Sequence, residues 1–467
     1  MDGMFKSSKC LVILFIFINM LNYLDRGYLA GMNKDMMEEF NITNTQSGLI
    51  SSAFMIGFIA SSLLYSYLVY NINRIILIIS GLTFWVISTL SCGINRNIYS
   101  MFIVSRIFTG IGEASFISIA PPFIDDYMPK KSKSTWLSLF YLASPVGYAF
   151  GFLLSGVMCE YNNCHNGFYI ESFIMFLFTG FLFCFQDIEK HLKEKKFVEQ
   201  TIDEIENTNI DSLEELTLLD GSPRRFRSIQ KKGIITSTCK RIGLIFRNPL
   251  YILIIIGYIF YTAITGAFSY WAPVFLSDTF GKDIFQSDLI MGGITVGTGI
   301  IGTILGGFLL DINKHKMKTR IHTALSLCIV FSSFASIFTI LIFISDEIGE
   351  FIPLMIISQL LLFMILAPVN SLIMWTVEKK VYDDKKNSQL KTLGCSICTL
   401  LIHVFGDVPS PIIVGKIQDV VNNWEKTMLY FSFVLLLTPI LWGITYFVLS
   451  KKDKLERLRV PILFEDL

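Results

Sequence analysis

Two charged residues stand inside an otherwise apolar stretch of the chain. The run from Tyr99 to Ile124 is long enough to form a membrane-spanning helix, and it carries Arg106 and, seven residues later on nearly the same helical face, Glu113. A carboxylate near the bilayer centre costs roughly 2.5–3.5 kcal/mol on insertion scales, so it needs a polar surrounding, a partner or a proton. Glu113 is therefore interpreted as part of a transport pathway, and a structural ion pair that locks two helices is the alternative.

The first apolar run carries a second pair of charges, Asp25 and Arg26. With both helices counted from the same membrane face at 1.5 Å per residue, Asp25 lies about 24 Å deep and Arg106 about 25 Å deep. These two residues are level, and we expect an ion pair between them. On the same count Glu113 lies at roughly 15 Å, close to the midplane, and Arg26 shares the layer of Asp25.

These residue types suit two tasks. A desolvated carboxylate favours its neutral form and can bind and release a proton, so Glu113 and Asp25 are predicted to couple transport to protons. A guanidinium grips phosphate through two parallel hydrogen bonds, so Arg26 and Arg106 are predicted to bind an anionic substrate. For Arg26 the alternative is that it only balances Asp25 or Glu113. Three further predicted substrate contacts are Tyr23, Trp271 and Asn370.

Twelve apolar runs make up most of the chain. Of the 467 residues, 52% are hydrophobic and only 16% are charged, which is well below a soluble domain. Each run is long enough to cross a bilayer, and in lipid such a run must be helical. The first run continues past any plausible cleavage site and is read as a span rather than a removed signal peptide. The runs lie near residues 9–33, 47–69, 75–94, 99–124, 135–158, 167–186, 250–276, 288–310, 321–344, 351–377, 391–415 and 427–449.

One long hydrophilic segment divides these runs into six and six. Residues 187–247 are acidic in front and basic behind, with little that could support a buried core, so they are predicted to form a cytosolic linker. We expect an all-α membrane protein with an N-terminal six-helix lobe (1–186), a C-terminal lobe (248–450) and a basic cytosolic tail (451–467). In such a two-lobed carrier the substrate site lies near the midplane between the lobes.

The loop charges predict the orientation. Outside the linker, twenty Lys and Arg residues fall in one alternating set of loops and termini, and five fall in the other, namely Lys34, Arg96, Lys282, Lys416 and Lys426. The positive-inside rule then places both termini in the cytosol. The sequence does not distinguish the plasma membrane from a lysosome-like or vacuole-like membrane.

The C-terminal half has far fewer charges in its spans. Asp407 is the main one, and His403 in the same run is interpreted as a hydrogen-bonded interior histidine. The eighth run carries the small-residue pairs Gly293/Gly297 and Gly302/Gly306, which permit close helix approach, as do Gly147 and Gly151 in the fifth.

Other classes of function find little support. Cys395 and Cys398 lie in an apolar run and are expected to pack, and Cys159 and Cys164 flank a short polar loop that could form a disulfide in an oxidising compartment. We predict no metal, no cofactor and no nucleic-acid partner, because no ligand spacing and no basic patch with aromatic residues is present. Without a nucleophile–base or metal constellation, the chain is not expected to be an enzyme.

Six motifs, in order along both halves, resemble the Spinster family of the major facilitator superfamily. They read NYLDR, SRIFTGIGEASFISIAPPFIDDYMP, FYLASPVGYAFG, FSYWAPVFL, GGITVGTGIIGTILGG and HVFGDVPSPIIVGKIQD. The resemblance implies the major facilitator fold, alternating access and substrates such as lysophospholipids or sphingosine-1-phosphate, often with proton coupling. It carries the family's buried charges over to Asp25, Arg26, Arg106 and Glu113.

The sequence departs from the superfamily in the loop after the second run. Where the pattern is G-x-L-x-D-R-x-x-R, this chain has a segment that ends at Arg74 and carries Tyr70 in place of the gating Asp, whereas the second-half copy keeps Gly307 and Asp311. The predicted gating residues are Asp311, Arg74 and Asp126, and the altered loop predicts a cytosolic gate that is held differently from the family pattern. The tenth run, around Asn370, is also more divergent.

The leading hypothesis is a proton-linked transporter of a lysolipid or a sphingolipid phosphate, working as a monomer in contact with membrane lipid. The first alternative is a carrier of a small organic anion or another metabolite. A channel or a non-transporting receptor is the other class, and the two-lobed layout argues against a channel. The head group, the direction of transport and the coupling ion are not fixed by the sequence.

Overall fold

The computed structural model describes residues 8–69, 72–129, 133–161, 164–186, 242–312, 317–345, 347–378 and 384–459. Helices α1 to α7 form the N lobe, with bounds Ser8–Gly31, Asn33–Phe40, Asn44–Leu68, Arg74–Ile94, Tyr99–Tyr127, Lys133–Glu160 and Asn166–Phe183. Helices α8 to α15 form the C lobe, with bounds Pro249–Phe280, Ile284–Asp311, Met317–Ile342, Ile348–Val377, Asp384–Ile402, Pro409–Val421, Trp424–Ser432 and Leu437–Arg459. The predicted all-α architecture is confirmed.

Twelve stretches of this helical chain are long and apolar enough to cross a membrane, which confirms the twelve predicted runs. The eleventh combines α12 and α13 and the twelfth combines α14 and α15. The first run is shorter than predicted, because α1 ends at Gly31 and the chain turns into the short helix α2. Residues 187–241 of the predicted linker lie outside the described residues. Helix α15 extends into the predicted tail as far as Arg459.

Polar side chains mark where the spans begin and end. Thr43 accepts a hydrogen bond from the backbone N–H of Gln46, and the Gln46 side chain accepts one from the N–H of Thr43, which satisfies two free donors at the start of α3. At the start of α8 the Asn248 side chain accepts a hydrogen bond from the backbone N–H of Leu250, and Pro249 is the first helical residue. At the other end of α8, Gly281 adopts a φ of 59°, a conformation that side chains disfavour.

Glycine allows two pairs of helices to come unusually close. A Cβ on Gly147 or Gly151 of α6 would lie 2.2 Å from a backbone oxygen of α1, so the α1–α6 contact requires glycine there. Likewise, Gly302 and Gly306 of α9 pack against the backbone of α11, as the small-residue pattern predicts. The same prediction is wrong for Gly293 and Gly297, which meet nothing within 4 Å, because that face of α9 points away from other helices.

Two helix pairs make most of the contact between the described parts of the two lobes. Helix α6 of the N lobe packs along α9 of the C lobe, and α3 packs along α13. The α3–α13 contact brings glycine against backbone in both directions: Gly48 of α3 lies against the carbonyl of Pro411, and Gly415 of α13 lies against the carbonyl of Asn44. This close interface holds the lobes around the charged layer of α1 and α5.

A disulfide closes the short loop between α6 and α7. Cys159 and Cys164 form this disulfide, with Cα atoms 4.4 Å apart, as the sequence allowed. Asp35 lies beside the two sulfurs, but the bond leaves no thiolate there to hold a metal ion. The other pair considered, Cys395 and Cys398, consists of free cysteines packed within the C lobe.

Candidate substrate and proton site

The predicted ion pair between Asp25 and Arg106 is confirmed. Nη1 and Nη2 of Arg106 donate to Oδ1 and Oδ2 of Asp25, each over 2.8 Å, and both side chains are essentially inaccessible to solvent. Two parallel bonds in a dry surrounding fix the position of both groups. This pair ties α1 to α5 and offers no free surface to a ligand in this conformation.

The second pair joins Arg26 to Glu113 by a single contact. Nη2 of Arg26 donates to Oε1 of Glu113 over 2.6 Å, and the reach of the arginine side chain spans the difference in depth that we expected between them. Glu113 is fully buried, whereas 16% of the Arg26 side chain is exposed. Oε2 of Glu113 and Nε of Arg26 have no hydrogen-bond partner among the described residues. This pair is therefore less constrained than Asp25–Arg106 and has unused bonding capacity.

Aromatic rings surround the Arg26 guanidinium. Its central carbon lies 4.8 Å from the ring centres of Tyr23 and Phe54 and 5.8 Å from that of Phe58. These rings attract the cation through their π faces and shield it from water. The predicted residue Tyr23 thus belongs to the site, and its ring also lies 6.0 Å from that of Tyr148 on α6.

The C lobe contributes a polar pair opposite these rings. His403 and Asp407 lie in a π-helical turn between α12 and α13, and Nδ1 of His403 lies 2.5 Å from Oδ2 of Asp407. Both side chains are partly exposed, at 24% and 19%. The ring of Phe58 lies 6.2 Å from that of His403, and the same ring lies near the Arg26 guanidinium. Phe58 therefore connects Arg26 to this pair. The sequence interpretation of His403 as a hydrogen-bonded residue agrees with this contact.

Two predicted substrate contacts lie elsewhere. Trp271 is fully buried in the C lobe, where its indole N–H donates to the carbonyl of Pro411 and its ring packs on Trp424. Asn370 is exposed on α11, and its amide donates to the carbonyl of Leu366 in its own helix. In the described part of the chain, the bonds of Trp271 go to C-lobe packing and that of Asn370 goes to its own helix. Within that part, neither residue is bonded to Arg26 or its surrounding rings.

The predicted gating residues are at the helix ends opposite the α3–α13 contact. Arg74 at the start of α4 donates to Asp126 near the end of α5 over 2.7 Å, which ties two helices of the N lobe. Asp311 is the exposed last residue of α9. Tyr70, the substituted position of the loop, lies outside the described residues.

Cross-lobe hydrogen bonds gather at the end of the molecule where α3 begins. Asp419 of α13 accepts from the backbone N–H groups of Asn44 and Thr45, and so places a carboxylate on the N-terminus of α3. Lys34 pairs with Asp278 over 2.6 Å at the same end. These contacts hold the two lobes together at this end of the molecule.

Sequence reasoning missed two buried carboxylates. Glu171 of α7 and Asp288 of α9 have no accessible surface. Ser155 of α6 donates to Asp288 across the lobe boundary over 2.7 Å. The signal that singled out Glu113, a carboxylate in an apolar run, is present for Glu171 as well. Asp288 stands at the edge of its predicted run, where an acidic residue is less conspicuous.

Comparisons with known proteins agree with this architecture. Residues 15–384 match the model of the Major Facilitator Superfamily. The chain is 33% identical to the probable sphingolipid transporter spinster homolog 1 of Arabidopsis thaliana, over 94% of this chain and 88% of that protein. It is 34% identical to a sphingosine-1-phosphate transporter of Danio rerio, over 30% of this chain and 28% of that protein. A crystal structure of a bacterial homolog to the human lysosomal transporter spinster, inward-facing and unoccupied, matches with a TM-score of 0.73 at 14% identity, covering 96% of this chain and 98% of that one.

Proposed function

Because the chain belongs to the major facilitator superfamily and, within it, to the spinster transporters, we propose that it carries a lysophospholipid or a phosphorylated sphingoid base, coupled to protons. The protein is a multi-pass membrane carrier rather than an enzyme. A lipid is the substrate class named for its relatives. We propose a phosphate head group, the proton as coupling ion, and specific residues that bind each of them.

The observation that carries it is the unequal strength of the two ion pairs. Arg106 is held in two bonds by Asp25, whereas Arg26 makes one bond to Glu113 and keeps some exposed surface. A phosphate offers several acceptor oxygens in a geometry that matches a guanidinium. A lipid phosphate therefore replaces Glu113 on Arg26 more readily than anything replaces Asp25 on Arg106. In this scheme Arg26 binds the substrate and Arg106 holds α1 in place.

Displacement of Glu113 links substrate to proton. A fully buried carboxylate that loses its arginine leaves a charge in a dry surrounding, at a cost of roughly 3–5 kcal/mol for a broken pair. Taking up a proton removes that charge. The neutral acid no longer competes for Arg26, so proton and phosphate favour each other's binding. Such coupling is reciprocal, so the carrier is loaded with both ligands together, as a symporter needs.

The surroundings of Arg26 suit the rest of an amphipathic molecule. Tyr23, Phe54 and Phe58 present apolar rings next to the charge, and His403 with Asp407 adds a polar face from the other lobe. An acyl or sphingoid chain can lie along the rings while its phosphate meets Arg26. The positive-inside rule supports a cytosolic position for both termini, and in that orientation the lobes are tied together at the outer end, where α3 begins.

The test is uptake and binding with purified carrier in proteoliposomes. Labelled lysophospholipid and sphingosine-1-phosphate are offered with and without an imposed proton gradient. Competition binding then compares sphingosine-1-phosphate with sphingosine on wild type and Arg26→Lys, which keeps the charge but loses the fork. We expect the gradient to drive accumulation and Arg26→Lys to weaken binding of the phosphorylated ligand about tenfold or more while sphingosine binds both forms equally.

A suitable control is Arg96→Lys, the same replacement at an arginine that donates to Asn166 and has no part in the predicted site or gate. Equal preference for the phosphorylated ligand in wild type and Arg26→Lys would reject the role of Arg26. Uptake of small organic anions with no lipid uptake would favour the alternative carrier. Lipid uptake that ignores the gradient would reject proton coupling while leaving lipid transport intact.

A further inference from the structure

One buried acid of the N lobe is not used by the scheme above. Glu171 lies on α7 with no accessible surface, and no donor group of the described residues meets either of its carboxylate oxygens. Most buried charged groups have a partner, because an isolated ionised carboxylate in an apolar surrounding is very costly. An unpartnered, fully buried glutamate therefore indicates either a strongly unfavourable charge or a bound proton.

The neighbours of Glu171 are charged. The carboxylate of Asp25 lies within side-chain hydrogen-bonding reach of it, and the Arg106 guanidinium acts on it electrostatically. Tyr28 of α1 also reaches α7, where its hydroxyl accepts from the backbone N–H of Gly167. Cys92 of α4 lies next to the same Asp25–Arg106 pair. Helix α6 also packs against α7, and its Cys159 does not titrate because it is disulfide-bonded.

A count of charges in this layer leaves one unbalanced. The two guanidiniums of Arg26 and Arg106 stay protonated in proteins, and they are already paired with Glu113 and Asp25. The third carboxylate, Glu171, would add one uncompensated negative charge. Moreover, two carboxylates within hydrogen-bonding reach of each other attract only when one of them is protonated. Both arguments place one proton between Glu171 and Asp25.

We propose that Glu171 is a proton-binding residue of this carrier, holding in the present conformation a proton that it shares with Asp25. This inference rests on the proposed function and adds a residue to it. With the proton present, Asp25 keeps both of its bonds to Arg106. Without it, two carboxylates compete for one guanidinium and the tie between α1 and α5 weakens. Glu171 thus connects protonation to the position of α1, the helix that also carries Arg26.

The experiment compares Glu171→Gln with Glu38→Gln, the same replacement at an exposed glutamate of α2. Infrared difference spectra of the purified proteins during a pH titration report carboxyl groups that stay protonated near neutral pH. Because the buried Asp288 can contribute to the same spectral region, the decisive signal is a band that wild type and Glu38→Gln share and that Glu171→Gln loses. Because this readout needs no transport, it decides the inference even if the proposed substrate is wrong.

Uptake into proteoliposomes supplies the second readout. Glutamine has the shape of the neutral acid, so Glu171→Gln is expected to bind lipid like wild type at low pH. At higher pH it should lose the pH dependence of uptake that wild type and Glu38→Gln retain. An unchanged infrared band, or a pH profile equal to that of Glu38→Gln, would overturn the inference. A Glu171→Gln protein that fails to fold would also overturn it, since a neutral isostere of a protonated acid should be tolerated.

Discussion

The buried pair between Asp25 and Arg106 makes a quantitative prediction. The perturbation is a double-mutant cycle of Asp25→Asn, Arg106→Gln and the two changes together. Each single change leaves one buried group without the two 2.8 Å bonds that now satisfy it. Removing one partner of such a pair costs roughly 3–5 kcal/mol in the free energy of unfolding, mostly because the remaining charge stays buried.

Glu171 makes the two single changes unequal. After Asp25→Asn, Glu171 can release its proton and pair with Arg106 as a carboxylate. The Arg106 guanidinium is close enough to attract the Glu171 charge electrostatically. We therefore expect Asp25→Asn to lie near the lower limit of about 3 kcal/mol, and to become more costly when Glu171→Gln is added. The double change removes both charges and should cost clearly less than the sum of the single changes. The expected coupling free energy is about 2–3 kcal/mol.

The assay is denaturant unfolding of the purified carrier in detergent micelles, followed by intrinsic fluorescence. The Arg74–Asp126 pair serves as control, because its side chains are 21% and 41% exposed and its coupling should stay within about 1 kcal/mol. Additivity of Asp25→Asn and Arg106→Gln within about 0.5 kcal/mol would refute the reasoning. So would equal coupling in the two pairs, since burial would then make no difference.

Three further predictions follow from other contacts. Glu113→Gln should fold, since glutamine mimics the neutral acid, but it should abolish proton-driven lipid accumulation; uphill uptake equal to wild type would contradict its role. Asp419→Asn should weaken the charge-assisted bonds to Asn44 and Thr45 and increase opening at that end, measured as faster labelling of a cysteine placed in the α3–α13 contact, and unchanged labelling would argue against a clamp. Burial raises the pKa of Asp35, on α2 outside the spans, above its usual range. The folded state therefore binds its proton more tightly than the unfolded state and loses stability as pH rises through that window. Asp35→Asn should be more stable than wild type at neutral pH and equal to it below the usual Asp range, and a pH-independent difference in unfolding free energy would contradict this.

Much of the fold follows from run length and charge alone. Any stretch as apolar as residues 99–124 must form a helix in lipid, and counting along two such helices placed Asp25 level with Arg106. The same count kept Arg26 and Glu113 apart, because it measures Cα depth and ignores the reach of a long side chain. Depth therefore predicts which residues share a layer better than it predicts which atoms meet.

Features that depend on how helices rotate and dock were beyond this reasoning. Trp271 was predicted to contact substrate, but the rotation of α8 turns its ring onto Trp424 and its indole N–H onto the carbonyl of Pro411, and that rotation is set by packing. The clamp of Asp419 on α3 joins residues 375 positions apart and arises only when the lobes are closed at that end. Glu171, by contrast, could have been found from the sequence, because it is a carboxylate inside an apolar run.

The balanced charges of the N lobe also determine how the carrier should respond to voltage. With one proton on Glu171 and Asp25, the layer that includes Arg26, Arg106 and Glu113 has no net charge. Moving one elementary charge across 100 mV changes the energy by about 2.3 kcal/mol, whereas moving a neutral layer changes it by nothing. The return of the empty carrier should therefore be insensitive to membrane potential, and the potential should act on the step in which the lipid phosphate and its accompanying protons cross together.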